Sequence, residues 1–279
     1  MTKPRIETLL VPEAALVLAG LVAVTAKVAA DAGGPRWILT SAQMVAVAVT
    51  GYLLTARARA GWLDAPRAVL VALALLLLPT VYGEVGGDGV QAFVVVRSPL
   101  LDGDLDLDND YRGLGARPVA TETGEATSHL PVGLALLWIP PFVAAHAVVT
   151  LASALGAAVA ADGFSVPYRS AVTAGTYVYG VFALLLIEAE LRRRHGRALA
   201  LLSVLGVWFA TPLHFYMTAN PAMAHGASVG AATAFAVGWL RWREAPTPRG
   251  WLVLGLLGGL MTLVRLQDGE FRLEESIEL

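Results

Sequence analysis

The sequence predicts an all-α membrane protein with about seven transmembrane helices, a long outer loop and a re-entrant or interfacial helical segment. Three observations lead there. Of the 279 residues 56% are hydrophobic and only 15% are charged, with a mean hydropathy of +0.63. The charges are bunched into short gaps between apolar runs, where a soluble domain spreads about 25% of charged residues along the chain. Most of those runs approach the ~20 residues that a bilayer-spanning helix needs.

Six runs read as full crossings: Ala14–Ala30, Trp37–Leu54, Ala68–Tyr82, Ser170–Leu191, Ala198–Phe215 and Ala222–Leu240. A seventh, Trp251–Val264, is short, as is the third. Lipid offers no partner to bare backbone groups, so runs of this kind fold as helices. Their small residues, such as Gly255, Gly258 and Gly259, suit close helix contact rather than barrel alternation. The first run also fits a signal peptide, with Lys3 and Arg5 ahead of it and Val28-Ala29-Ala30 at its end. Pro12, Glu13 and Lys27 interrupt that pattern.

The apolar segment 133–161 decides the topology. It contains Pro140-Pro141 and is too short for two crossings of ~17 residues or more each. A single crossing would put Arg192, Arg193, Arg194, Arg197, Arg241, Arg243 and Arg249 outside. A segment that dips in and returns, or lies along the interface, keeps them inside with Lys3, Arg5, Arg57, Arg59 and Arg67. The positive-inside rule favours the second arrangement, a multi-pass protein of a cell inner membrane. The net charge of −2 gives no reason to expect nucleic acid, and the absence of cysteine excludes a disulfide framework.

The outer loop, 83–132, is the most polar stretch of the chain, and long loops of this kind usually carry function. Val90, Phe93, Val94 and Leu101 are spaced for an interfacial helix with one face in the headgroups. Gly87-Asp88-Gly89 follows the third run, and its glycines let the chain turn sharply at the membrane surface. A carboxylate there suits a general base toward a hydroxyl; the plainer reading is a turn aspartate that caps a helix. Asp102-Gly103-Asp104-Leu105-Asp106-Leu107-Asp108-Asn109-Asp110 lacks the EF-hand pattern, because positions six and twelve fall on Leu107 and Gly113. Alternating Asp and Leu instead predict an extended piece with its leucines on one face. Arg112 and a turn at Asn109 are expected to organise this loop. His129, His146, His195, His214 and His225 show no metal-ligand spacing, and no Ser/His/Asp arrangement is visible. Arg265 ends the last run and is a functional candidate by default, with snorkelling to the headgroups as the alternative.

Taken together, these pieces resemble GT-C-type membrane glycosyltransferases, a group distantly akin to protein mannosyltransferases and aminoarabinose transferases. The resemblance rests on Gly87-Asp88-Gly89, on Arg97-Ser98-Pro99-Leu100-Leu101-Asp102-Gly103-Asp104 and on Asn109-Asp110-Tyr111. It continues through His129-Leu130-Pro131-Val132-Gly133, Pro212–His225 and Leu263-Val264-Arg265-Leu266-Gln267-Asp268. It implies sugar transfer from a polyprenyl-phosphate donor to a hydroxyl of a glycan, lipid or protein acceptor on the outer face. Asp88 matches the catalytic carboxylate. Arg265 is expected to hold the lipid phosphate, and Arg97, Asp104, Asp110 and His225 join it as expected substrate contacts. No metal ligand is assigned, and a divalent cation such as Mg or Mn is expected to bind weakly at most. Members of the group are usually longer, so the tail 269–279 reads as truncated or non-native and leaves the activity of this chain alone open. A transporter, or a non-catalytic membrane assembly or cation-binding protein, is the alternative.

Overall fold

A computed structural model describes residue 27, residues 65–243 and residues 247–269. The first two expected crossings and the tail therefore lie outside the described residues. The described chain is mostly helical. Its elements are α1 (Ala65–Leu77), α2 (Asp88–Arg97), α3 (Leu107–Gly113), a two-stranded hairpin of β1 (Val119–Ala120) and β2 (Ala126–Thr127), and α4 (Gly133–Ala154). Then follow α5 (Val166–His195), α6 (Arg197–Phe209), α7 (Leu213–Thr218), α8 (His225–Trp242) and α9 (Pro248–Val264). The hairpin is antiparallel, with Val119 opposite Thr127.

Among the described residues two helices, α4 and α5, are long and apolar enough to cross a membrane. Seven crossings are not supported by these lengths. The run 198–215 breaks into α6 and α7 at Thr211-Pro212, where proline disfavours helix in the residue before it. Helix α8 has 18 residues but dilutes its apolar side chains with Gly, Ala, Ser and Thr.

The segment expected to dip and return is one continuous helix of 22 residues with both prolines inside it, about 33 Å long at 1.5 Å per residue. Pro141 has no N–H to give the carbonyl of Leu137, four residues earlier. Tyr179 Oη of α5 donates to that carbonyl oxygen at 2.6 Å. A side chain replaces the missing backbone donor, so the helix need not reverse.

Contacts along α5 fix how the other helices lie. Helix α4 runs antiparallel to its first half: Tyr179 meets Leu137, Trp138 Nε1 donates to Thr176 Oγ1 at 2.8 Å, and His146 Nδ1 lies 2.7 Å from Tyr168 Oη. Helix α8 runs parallel to α5 from its middle onward, with Gly226 beside Thr176, Gly230 beside Tyr179 and Arg241 Nε 3.8 Å from Glu190. Helix α1 is antiparallel there, with Tyr177 Oη donating to Ala74 O at 2.7 Å and Arg67 Nε to Glu188 at 2.7 Å. Helices α4 and α8 therefore both start beside Thr176 and Tyr179 and run from there toward opposite ends of α5. The segment 155–165 stays with the acidic loop, since Arg97 Nε donates to Asp162 O at 2.9 Å. At the opposite end Arg67, Arg192, Arg193, Arg194 and Arg241 gather round the buried Glu188 and Glu190.

The core has two main clusters. One, with Phe93, Trp138, Phe142, Tyr168, Ala227, Met261 and Val264, joins α2, α4, α5, α8 and α9. The other, with Leu70, Leu78, Tyr177, Leu184, Trp208 and Met217, joins α1, α5, α6 and α7.

Candidate functional site

Helix α2 has a different kind of charge group at each end. At its start the chain turns through Gly87 at φ 57° and ψ −133°, a conformation side chains resist, and Asp88 becomes the first helical residue. Asp88 is thus inside the first turn, and Gly87 holds the capping position expected for an aspartate. Gly89 then packs on Ala222, where an added Cβ would stand 2.5 Å from the carbonyl oxygen. That close approach draws the start of α2 to the turn before α8. The Asp88 carboxylate is exposed, and among the described residues no side chain is hydrogen-bonded to it.

His225 is the first residue of α8 and is half-buried. Its ring stacks on Tyr216 of α7 with centroids 3.8 Å apart and planes at 28°. Arg265 follows the end of α9 in extended backbone and sends Nη1 to His225 Nδ1 at 3.0 Å and Nη2 to Gln267 Oε1 at 2.7 Å. Gly133 fixes this end of α9: an added Cβ there would collide with the backbone of Leu263 and Val264. Asp268, one turn on, accepts from Ser228 Oγ of α8. Asp88 and Asp268 both act electrostatically on the imidazole of His225. Residues 88, 225 and 265, far apart in sequence, therefore share one end of the fold.

The far end of α2 is closed. Arg97 Nη1 donates to Asp102 Oδ2 and to Asp110 Oδ1, both at 2.6 Å. The guanidinium lies 3.8 Å from the centre of the Phe164 ring. Burial pulls the Arg97 guanidinium down and the two carboxylates push it up, leaving it above its ordinary value. Burial lifts the Asp110 carboxyl, and Arg97 offsets only part of that. Asp110 is fully buried, and its Oδ2 has no hydrogen-bond partner. Arg97 and Asp110, both expected as substrate contacts, are turned to each other rather than toward Asp88. Asp104 accepts from Ser98 Oγ at 2.9 Å and from its own loop at Asp106 N.

Three expectations for the loop are corrected. Arg97 organises it, whereas Arg112 makes one ion pair with Asp108 while 76% exposed. Asn109 contributes through its side chain, which donates to Asp102 Oδ2 at 3.1 Å. The leucines do not share a face, because Asp106 caps α3 by accepting from Asp108 N. Leu105 is left 73% exposed while Leu107 is buried. Helix α2 exists, but Phe93 and Val94 are buried in two protein clusters and do not form a face for headgroups.

Among the described residues no group of three or more His, Asp or Glu side chains could hold a metal ion. Asp102 and Asp110 share Arg97, with Asn109 also on Asp102, and the other three aspartates meet Ser98, Arg112 or backbone. A cleft of about 560 Å³ lies between α3 and the hairpin, lined by Leu105, Asp106, Asp108, Arg112 and Glu125. Asp88, His225 and Arg265 are not part of its wall.

Sequence reasoning missed Tyr216, Ser228 and Phe164, of which the last two act through contacts between distant segments. One signal was available: a proline pair inside an apolar run frees carbonyls that need a donor, which Tyr179 provides. Compared with family models, curated proteins and solved structures, the chain matches none.

Proposed function

We propose that this chain is a multi-pass inner-membrane glycosyltransferase that moves a sugar from a polyprenyl phosphate to an acceptor hydroxyl at the end of the fold holding Asp88. The observation that carries the reading is the convergence of Asp88, His225 and Arg265, together with an exposed Asp88 carboxylate to which, among the described residues, no side chain is hydrogen-bonded. About seven crossings belong to the proposal, counting the apolar runs 14–30 and 37–54.

The chemistry is a displacement at the anomeric carbon of the donor. The acceptor oxygen forms the new bond to that carbon as the carbon–phosphate oxygen bond breaks. Asp88 takes the hydroxyl proton. Arg265 holds the departing lipid phosphate, for which a planar guanidinium is well shaped. Lipid phosphate stays in the membrane while a polar acceptor arrives from water.

The test uses the full purified chain, a polyprenyl-phosphate sugar labelled in the sugar, and outer-face membrane extract as acceptor. Label should move into the extract, and Asp88→Asn should lose at least a hundredfold of that rate, the lower range of a general base. Equal rates in the two proteins would overturn the role given to Asp88.

A further inference from the structure

We infer that His225 is a positioning residue that fixes Arg265 through an unprotonated Nδ1, an assignment that rests on the reading of Arg265 as the phosphate holder. Arginine has five donors and no acceptor. In the 3.0 Å contact with Arg265 Nη1, His225 Nδ1 must therefore accept. The imidazole is neutral there, with its proton on Nε2. Protonating Nδ1 would set donor against donor and cation against cation.

The surroundings hold this arrangement from each side. Tyr216 of α7 covers one face of the imidazole at 3.8 Å and limits its rotation. Gln267 takes the other guanidinium nitrogen at 2.7 Å. Asp268, tied to Ser228 of α8, closes the turn that carries Arg265. Among the described residues, Asp88 of α2 and Asp268 are the charged groups besides Arg265 that act electrostatically on the ring. With two nitrogens already anchored by neutral acceptors, the guanidinium keeps its full charge and a fixed plane. A phosphate then meets an oriented fork, and little side-chain freedom remains to be lost on binding.

Two substitutions separate positioning from packing. His225→Phe keeps a ring for Tyr216 but removes the acceptor. His225→Asn restores an acceptor oxygen close to the place of Nδ1. The first readout needs no ligand: the rate at which phenylglyoxal modifies Arg265, followed by peptide mass spectrometry on the folded chain. The rate should rise several-fold in His225→Phe and stay near the unaltered value in His225→Asn. An unchanged rate in His225→Phe, or equal acceleration in both, overturns the inference. The second readout is the Kd for farnesyl phosphate, expected to weaken about tenfold in His225→Phe and much less in His225→Asn. If the modification rates follow the expected order but no protein binds farnesyl phosphate, the positioning of Arg265 stands and the donor reading falls.

Discussion

The two ends of α2 hold aspartates in contrasting surroundings. At the C-terminal end Arg97 is buried under Phe164 and engaged by Asp102, Asp110 and the Asp162 carbonyl. At the N-terminal end Asp88 is exposed, and among the described residues the Arg265 side chain is anchored by neutral acceptors, His225 and Gln267. Charge density alone points to the C-terminal side, where five aspartates crowd nine residues. What separates structure from site is whether each charge is already neutralised. A saturated pair stabilises the fold; an oriented but unneutralised one can take a ligand.

That contrast can be broken by mutation. Arg97→Met should cost about 3–5 kcal/mol, because it leaves the buried Asp110 carboxylate uncompensated. Thermal unfolding of the solubilised chain would show it, while the folded fraction keeps its Kd for farnesyl phosphate. Loss of binding per folded molecule would mean that the closed end is part of the site.

Gly89→Val should cost about 1–3 kcal/mol, because its Cβ would crowd the Ala222 carbonyl oxygen. Here transfer activity should fall further than stability, since the clash pushes Asp88 away from α8. An activity that merely tracks the unfolded fraction would separate Asp88 from the His225 group.

Tyr179→Phe should cost about 1–3 kcal/mol, the penalty of an unpaired Leu137 carbonyl. The same melting experiment checks it, and a neutral outcome would mean that water or another donor serves the proline break. Arg112→Ala should change stability by less than about 0.5 kcal/mol, as expected of an exposed ion pair. A large loss there would restore Arg112 as the organiser of the loop. The placement of the ends is open to labelling as well. Cysteines placed at Ser128 and Arg194 should react oppositely with an impermeant thiol reagent in intact cells, and equal labelling would contradict the packing of α4.

Much of the helical layout was legible in the sequence because apolar runs and their punctuation are local. The run 170–191 falls within α5, and 251–264 coincides with most of α9. Asp88, Arg265 and His225 were singled out through motif position. Their convergence was not, since Gly89 on Ala222 and Gly133 on α9 are contacts between distant segments. The same reason hid the closed end: Phe164 and Asp162 come more than sixty residues after Arg97. A local view therefore favoured Arg112, the arginine nearest the aspartates. The continuity of α4 was masked too, because a proline pair looks like a break until Tyr179 supplies its donor.

The claim that the open end of α2 is the working end meets its most direct test in photolabelling. A polyprenyl phosphate carrying a diazirine beside its phosphate would be bound to the full chain, irradiated and mapped by peptide mass spectrometry. The label should fall on the peptides that contain His225 and Arg265, and Arg265→Ala should remove it. Label concentrated on residues 97–113 and insensitive to Arg265→Ala would contradict the account.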